Sequence, residues 1–468
     1  MKVTEVEPEY RQLRIEDFLN QAPAEQGGET EVYASQMITE NNATITWKKS
    51  LLEGILSDSN LKKAIKKVKA NKGAAGIDGM EVGELDSYFE TNRKTLTEKI
   101  KAGKYHPQPV ERVEIPKKEK GKTRKLGIPT TVDRVIQQAI AQKLSPIFEK
   151  QFQETSYGFR PKRSAHDALR KCREYIEEGY EWVVDMDLEK FFDTVSQSKM
   201  AEILSHTIED GRVISLIHKY MRAGVIVKGN YEETETGVSQ GGPLSPLLSN
   251  IMLNELDREL IRRGHRFVRY ADDCMILCKS RKSAERTYEH IVPYIEGKLF
   301  LKVNREKTKI SRYTEVKYLG YGFYRSGRRL RVHPETMKRM KERVRELTKR
   351  KCPWPEEIRQ KRLTEYIRGW VNYFKLADMK SILERTDSWM RRRIRAIYLK
   401  RWKKPKTKYK KLLEMKVPKG QAKRIAYSSK KPWRIAYTTI IHRAFSVRKL
   451  QRLGYPTFSY YYSKLCEN

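Results

Sequence analysis

Arg269-Tyr270-Ala271-Asp272-Asp273-Cys274 is the stretch on which the reading of this chain turns. Apolar strand formers flank it, Phe267-Val268 before and Met275-Ile276-Leu277 after, and two adjacent carboxylates break the run in its middle. A buried carboxylate without a partner is costly and takes up a proton instead. A divalent cation would compensate it. A hairpin whose turn leaves both acids in water is the plainer alternative, and the stretch alone does not choose.

A second acidic stretch in an equivalent setting changes the balance: Val183-Val184-Asp185-Met186-Asp187-Leu188-Glu189-Lys190-Phe191-Phe192-Asp193. Two short strands, each delivering carboxylates at one end, are what two-metal phosphoryl transfer requires. Hard oxygen ligands hold Mg²⁺ ions about 3.5–4 Å apart, one activating the attacking hydroxyl and both stabilising the leaving group. Asp185 and Asp187 share a strand face by period-two alternation, so spacing does not decide between them.

Around these stretches lies a strongly basic chain of 468 residues, with 97 Lys and Arg against 59 Asp and Glu and a formal net charge of +38. Its length suggests about three domains, and a 38% hydrophobic share still supports sizeable cores. No run of about 18 apolar residues is present, and the start of the chain lacks a signal peptide's pattern, so neither a membrane span nor secretion is expected. Five cysteines, odd in number and mostly far apart, suggest a reducing cytoplasm. The charge points to a polyanionic partner, most simply nucleic acid. It is unevenly spread. Residues 1–46 carry a net −6, whereas residues 331–468 hold 40 basic against 11 acidic side chains, a net +29. Aromatics such as Trp370, Tyr373, Trp389, Tyr398, Trp402 and Trp433 are interleaved with that charge. Disordered basic tails are poor in aromatics, so a folded, helical, RNA-binding region is expected.

Apolar spacing predicts a helix from Trp47 to the turn-rich 71–79, a hairpin bracketed by Val113–Pro116 and Leu126–Pro129, and a helix from Asp133 to Phe148. Strands are expected at 181–188 and 267–277, a helix at 243–260 and a β element at 313–331, followed by helices alone. That order predicts an α+β part and then an all-α part.

Several blocks now resemble, in order and spacing, the group II intron reverse transcriptase/maturases. Tyr270-Ala271-Asp272-Asp273 looks like the catalytic signature of reverse transcriptases. With it come Arg124–Thr130 running on to Asp133–Gln137, Ser156-Tyr157-Gly158-Phe159-Arg160-Pro161, Phe191-Phe192-Asp193, Gly237–Asn250 and Val316-Lys317-Tyr318-Leu319-Gly320. Leu363–Lys375 and Arg391-Arg392-Arg393-Ile394-Arg395 resemble the maturase hallmark. The resemblance spans roughly residues 47–450. It implies a right-hand polymerase, with fingers and palm over 47–330, a helical thumb and maturase domain over 331–430, and a short basic tail over 431–468 that would bind DNA. Residues 1–46 would be a flexible acidic extension.

The resemblance also assigns roles. Asp187, Asp272 and Asp273 would hold two Mg²⁺, helped by the Leu188 carbonyl. Phe192 would lie beneath the incoming sugar and exclude a 2′-hydroxyl. Gln240 and Gly241 would meet the nucleotide, and Arg124 with Lys117 or Lys118 would grip its triphosphate; Lys307 is a weaker candidate. Lys69 and Lys72 would contact template phosphates, and Arg391, Arg392, Arg393 and Arg395 would bind intron RNA. The implied partners are group II intron RNA, an RNA template with a DNA or RNA primer, target DNA and deoxynucleoside triphosphates, in a bacterial cytoplasm or nucleoid and without a membrane. The HNH endonuclease of many relatives is not expected, since no His/Cys cluster follows Arg452. Two other readings fit the same sequence: a splicing-only maturase with an inactive polymerase, and a free-standing relative serving DNA repair or phage defence.

Overall fold

In the computed structural model, residues 50–116, 123–326, 329–350 and 354–466 are described. The acidic extension expected at 1–46 lies outside them. The chain divides between Val316 and Lys317 into two compact units.

The first unit is built on two sheets. One has the order β6-β7-β3-β8, from β3 (Trp182–Met186), β6 (Arg266–Tyr270), β7 (Asp273–Cys278) and β8 (Lys309–Arg312), with every neighbouring pair antiparallel. Val183 and Val184 are both fully buried, as are Met275 and Ile276. Consecutive buried residues mean that the sheet is covered on both faces, which is why these strands read as unbroken apolar runs. Each such side chain contributes roughly 1.5–3 kcal/mol by leaving water.

The other sheet has the order β2-β1-β4-β5, from β1 (Val110–Pro116), β2 (Thr123–Ile128), β4 (Val225–Val227) and β5 (Asn230–Glu232). The expected hairpin is its β1–β2 pair. The three-residue β4 adds to β1 in parallel, a pairing that no local pattern announces. Directly after β2 the Thr130 hydroxyl caps the helix Thr131–Glu149 by accepting from the Asp133 amide. Nearly every residue in the first half of that helix is buried.

The second unit begins ahead of the hairpin β9 (Tyr321–Phe323) and β10 (Leu330–Val332), through which the expected boundary at 330 would cut. The hairpin packs on helices. Leu330 bridges Ala377, the Tyr321 ring lies 5.1 Å from Phe374, and the Tyr373 hydroxyl donates to the Leu319 carbonyl at 3.0 Å. Long helices follow at Pro334–Leu347, Glu356–Phe374 and Lys380–Arg401. Residues from 431 onward do not form a tail. They make four helices, Pro432–Ile435, Thr439–Ala444, Val447–Arg452 and Phe458–Cys466, and Phe445 and Phe458 are fully buried. Trp370 meets Phe458 edge-on at 5.6 Å, and Trp402 stacks on Phe445 at 5.8 Å. The buried Asp387 accepts from the Phe458 and Ser459 amides, capping the last helix. Of the aromatics interleaved with the basic residues, Trp370 and Trp402 are buried in this core, while Tyr373, Trp389, Tyr398 and Trp433 are only partly buried. No helix among the described residues is long and apolar enough to cross a membrane.

Candidate active site

β6 and β7 form a tight hairpin: Tyr270 pairs with Asp273, leaving Ala271 and Asp272 as the turn. Ala271 sits at φ 58, in the left-handed region that a Cβ disfavours. β3 runs beside β7 with Met186 opposite Cys274, so one residue on, Asp187 leaves its strand where Asp273 begins the other. Asp185 pairs with Met275 and Lys309. Four carboxylates thus gather at one end of the sheet, and both alternatives left open by the sequence hold in part. The acids do form a turn whose side chains reach the surface, but protein closes in around them.

The electrostatics show the crowding. Burial, and then the charges of Asp272, Asp185 and Asp187, push the Asp273 carboxyl up to about 7. Asp185 is pushed up to about 6, first by burial and then by Asp187, against the opposing charge of Lys309. Asp272 is raised too, chiefly by burial, with Asp187 adding to the rise and Arg124 and Arg269 opposing it. The Lys307 ammonium stands 3.5 Å from the Asp187 carboxylate. Hard oxygens repelling one another suit a divalent cation. No three His, Cys, Asp or Glu side chains among the described residues form a cage for one.

The remaining candidates line the same region. Arg124 lies on β2, exposed, and its charge is felt at Asp272. The Gly127 amide, three residues further along β2, donates to the Gln240 carbonyl at 2.7 Å. Gly241, at φ +133, packs so closely that a Cβ there would fall 2.3 Å from the Gly127 carbonyl oxygen. At its other end this loop is pinned to Phe192, whose carbonyl accepts from the Val238 amide at 2.7 Å. The half-buried Phe192 ring stands edge-on to Phe191 at 5.2 Å. Leu188 is buried and bridges Val303. Lys117 and Lys118 lie outside the described residues.

Sequence reasoning missed what stands behind the hairpin. Arg269 is fully buried and bonds Asp257, Asn250 and the Ala271 carbonyl. A charge inside an apolar strand needs a partner, and Asn250 and Asp257, seven residues apart on one face of the helix Ser245–Arg262, were the available signal.

The proposed RNA contacts fare unevenly. Lys72 is exposed at φ 47 in the turn after the helix Asp58–Ala70, but Lys69 is paired with Asp86. Arg395 requires correction. It is 4% exposed and its guanidinium donates to the Phe445 carbonyl at 2.9 and 3.1 Å, so it braces the helical core and is not free to bind RNA. Arg393 donates to the Thr348 hydroxyl at 2.6 Å and to the carbonyls of Arg345 and Thr348. Arg392 stacks over Trp433 at 4.0 Å and Tyr437 at 4.6 Å. Arg391 is half-buried.

Residues 115–323 match the family model "Reverse transcriptase (RNA-dependent DNA polymerase)", and residues 337–415 match "Group II intron, maturase-specific domain". The chain is 35% identical over 300 residues to Protein YkfC of Escherichia coli (strain K12), covering 56% of this chain and 78% of that protein. It is 31% identical over 323 residues to the group II intron-encoded protein LtrA of Lactococcus lactis subsp. cremoris, covering 55% of this chain and 54% of LtrA. A putative COX1/OXI3 intron 2 protein of Saccharomyces cerevisiae is 32% identical over 205 residues, 42% of this chain and 23% of that protein. The chain therefore spans about half the length of LtrA. A reverse transcriptase domain followed by a maturase-specific domain defines the class: an RNA-directed DNA polymerase domain joined to a group II intron maturase module. The chain belongs to the group II intron-encoded reverse transcriptase/maturase family.

Proposed function

We propose that this protein copies RNA into DNA with two Mg²⁺ ions and also binds its group II intron RNA, promoting splicing and mobility of that intron. The observation that carries the polymerase reading is the meeting of Asp187 with Asp272 and Asp273 at the ends of two adjacent antiparallel strands, under a net negative field. When bound, the ions would supply activation of the primer 3′-hydroxyl and neutralisation of the phosphate charge. The chain's own part is positioning. Asp187, Asp272 and Asp273 would hold the ions. Arg124 offers a planar fork of donors to the triphosphate, and Lys117 would join it. Gln240 and Gly241 would let the nucleotide come close to backbone. Phe192 would support the sugar and exclude a 2′-hydroxyl. Lys72 is suited to a template phosphate.

For the second activity, the basic helical unit supplies the charge that structured RNA requires. Target DNA and deoxynucleoside triphosphates are the further partners of this reading, and a bacterial cytoplasm or nucleoid its setting.

Primer extension by the full-length chain on poly(rA) with oligo(dT) and Mg²⁺ tests the polymerase. Product from wild type and none from Asp272→Ala is expected. No product from wild type, or undiminished product from Asp272→Ala, refutes the reading.

A further inference from the structure

We infer that Arg269 is a positioning residue for the hairpin that carries Asp272 and Asp273: through Asp257 and Asn250 it fixes the Ala271-Asp272 turn in the form that takes up metal and nucleotide. The inference rests on the polymerase reading above and adds to it a part that none of the residues assigned there provides.

The geometry is specific. Nε and Nη2 of Arg269 donate to the two Asp257 oxygens at 2.8 and 2.5 Å, and both side chains are fully buried. Nη1 is shared between the Asn250 side-chain oxygen at 2.9 Å and the Ala271 carbonyl at 3.0 Å. Asn250 in turn donates to the Gly158 carbonyl at 2.8 Å. Gly158 backs directly onto the turn, since a Cβ built there would fall 2.2 Å from the Ala271 nitrogen. The main chain of Arg269 adds two more ties, its amide donating to Thr155 and its carbonyl accepting from Tyr157, both at 2.9 Å. One guanidinium therefore links the helix Ser245–Arg262 and the 155–158 segment to the carbonyl of the turn.

Such a link has work to do because the turn is not self-sufficient. Ala271 holds a positive φ that its Cβ disfavours, and such a backbone persists only when its surroundings over-determine it. A buried ion pair is by itself weak evidence for stability, because desolvating two charges offsets much of their attraction. Its planar fork is instead a means of fixing direction. Lys cannot reproduce it, having one compact charge where Arg has three nitrogens in a plane.

The test uses full-length wild type, Arg269→Lys and Asn250→Ala, the second removing only the bridge between the guanidinium and Gly158. Each is checked for folding by thermal melting and then assayed well below its transition. Mn²⁺ binding in the absence of substrate is titrated by electron paramagnetic resonance, and single-nucleotide extension on poly(rA)/oligo(dT) is followed against dTTP and Mg²⁺. Both variants are expected to fold and to lose about tenfold or more in kcat, with KM for dTTP within about threefold. Their Mn²⁺ dissociation constant and Mg²⁺ midpoint should rise by about fivefold. A folded variant with wild-type kcat and Mn²⁺ affinity overturns the inference. So does failure of both variants to fold, which would make the network purely structural. An inactive wild type, or a fully active Asp272→Ala, refutes the polymerase reading instead, and the Mn²⁺ titration then decides the inference alone.

Discussion

Gly158 and Ala271 lie backbone to backbone, so close that a methyl on Gly158 would stand 2.2 Å from the Ala271 nitrogen. Gly158→Ala must displace the turn that carries Asp272. Primer extension is expected to fall by about tenfold or more, in line with the sensitivity of reacting groups to shifts near 1 Å. Gly369→Ala is the control. It lies inside the helix Glu356–Phe374 with nothing within 4 Å of a new Cβ, and should gain roughly 0.5–1 kcal/mol of stability without loss of extension.

The crowding of carboxylates makes stability depend on pH. Asp273 titrates near 7 in the folded chain, against an ordinary value of 3.8, so the folded state binds the proton more tightly than the unfolded one. In EDTA, the contribution of Asp273 to stability should grow as pH falls from about 7 towards 4, by less than the roughly 1.4 kcal/mol per pH unit of a fully shielded proton because its carboxyl reaches water. Asp185, titrating near 6, adds in the same direction. Asp273→Asn should stabilise the metal-free chain at pH 8 and flatten the slope. Denaturant unfolding of wild type and Asp273→Asn at pH 8, 7, 6 and 5 measures this, and a wild-type minus variant difference that does not grow as pH falls would refute it.

Lys307 faces Asp187 at 3.5 Å but is half exposed, so water screens much of its charge. On the proposed reading it would compete with a metal ion for the same carboxylate. Lys307→Met should lower the Mg²⁺ concentration at half-maximal extension by about two- to fivefold. An unchanged midpoint would mean that the lysine moves away when metal binds.

On the proposed reading Phe192 would supply bulk beneath the incoming sugar; its ring stands edge-on to Phe191 at 5.2 Å. Phe192→Val should raise the ratio of ribonucleotide to deoxynucleotide incorporation by about tenfold or more, the order of discrimination that steric bulk provides. Single-nucleotide extension with UTP and dTTP measures the ratio.

The arginine run at 391–395 should separate by function. Arg395→Gln is expected to destabilise the chain by about 1–3 kcal/mol, the cost of leaving buried groups such as the Phe445 carbonyl without a donor. Arg391→Gln should leave the melting temperature unchanged and weaken intron RNA binding, with the slope of log K against log salt shallower by about one. Filter binding across a salt series separates the two.

What the sequence revealed and concealed follows from the range of the forces involved. The β6–β7 hairpin was legible because two acids interrupting an apolar run make a local pattern, and the choice of Asp187 over Asp185 came only with the resemblance. The pairing of β4 with β1 was not legible, because β4 has only three residues and carries too little alternation to register. The arginine run misled for a different reason. The helix Lys380–Arg401 is packed on more than one side by later helices, so a string of like charges does not mark a single solvated face, and Arg395 points inward to a carbonyl 50 residues away. The residues from 431 onward read as a tail because each helix there is short, and only their contacts with Trp370, Trp402 and Asp387 make them core.

The seam between Gly127 and Gly241 bears on how this enzyme can be altered. Arg124 sits three residues before that seam on one strand, and Gln240 immediately before it on the facing loop. On the proposed reading, a selection for unnatural nucleotides would therefore find its freedom at Gln240 and Phe192, whose side chains can be exchanged while the backbones keep their register. Codon 241 should return as glycine in every surviving clone, since a Cβ there meets the Gly127 carbonyl oxygen on a backbone at φ +133. The seam separates what can be redesigned in this pocket from what must be inherited.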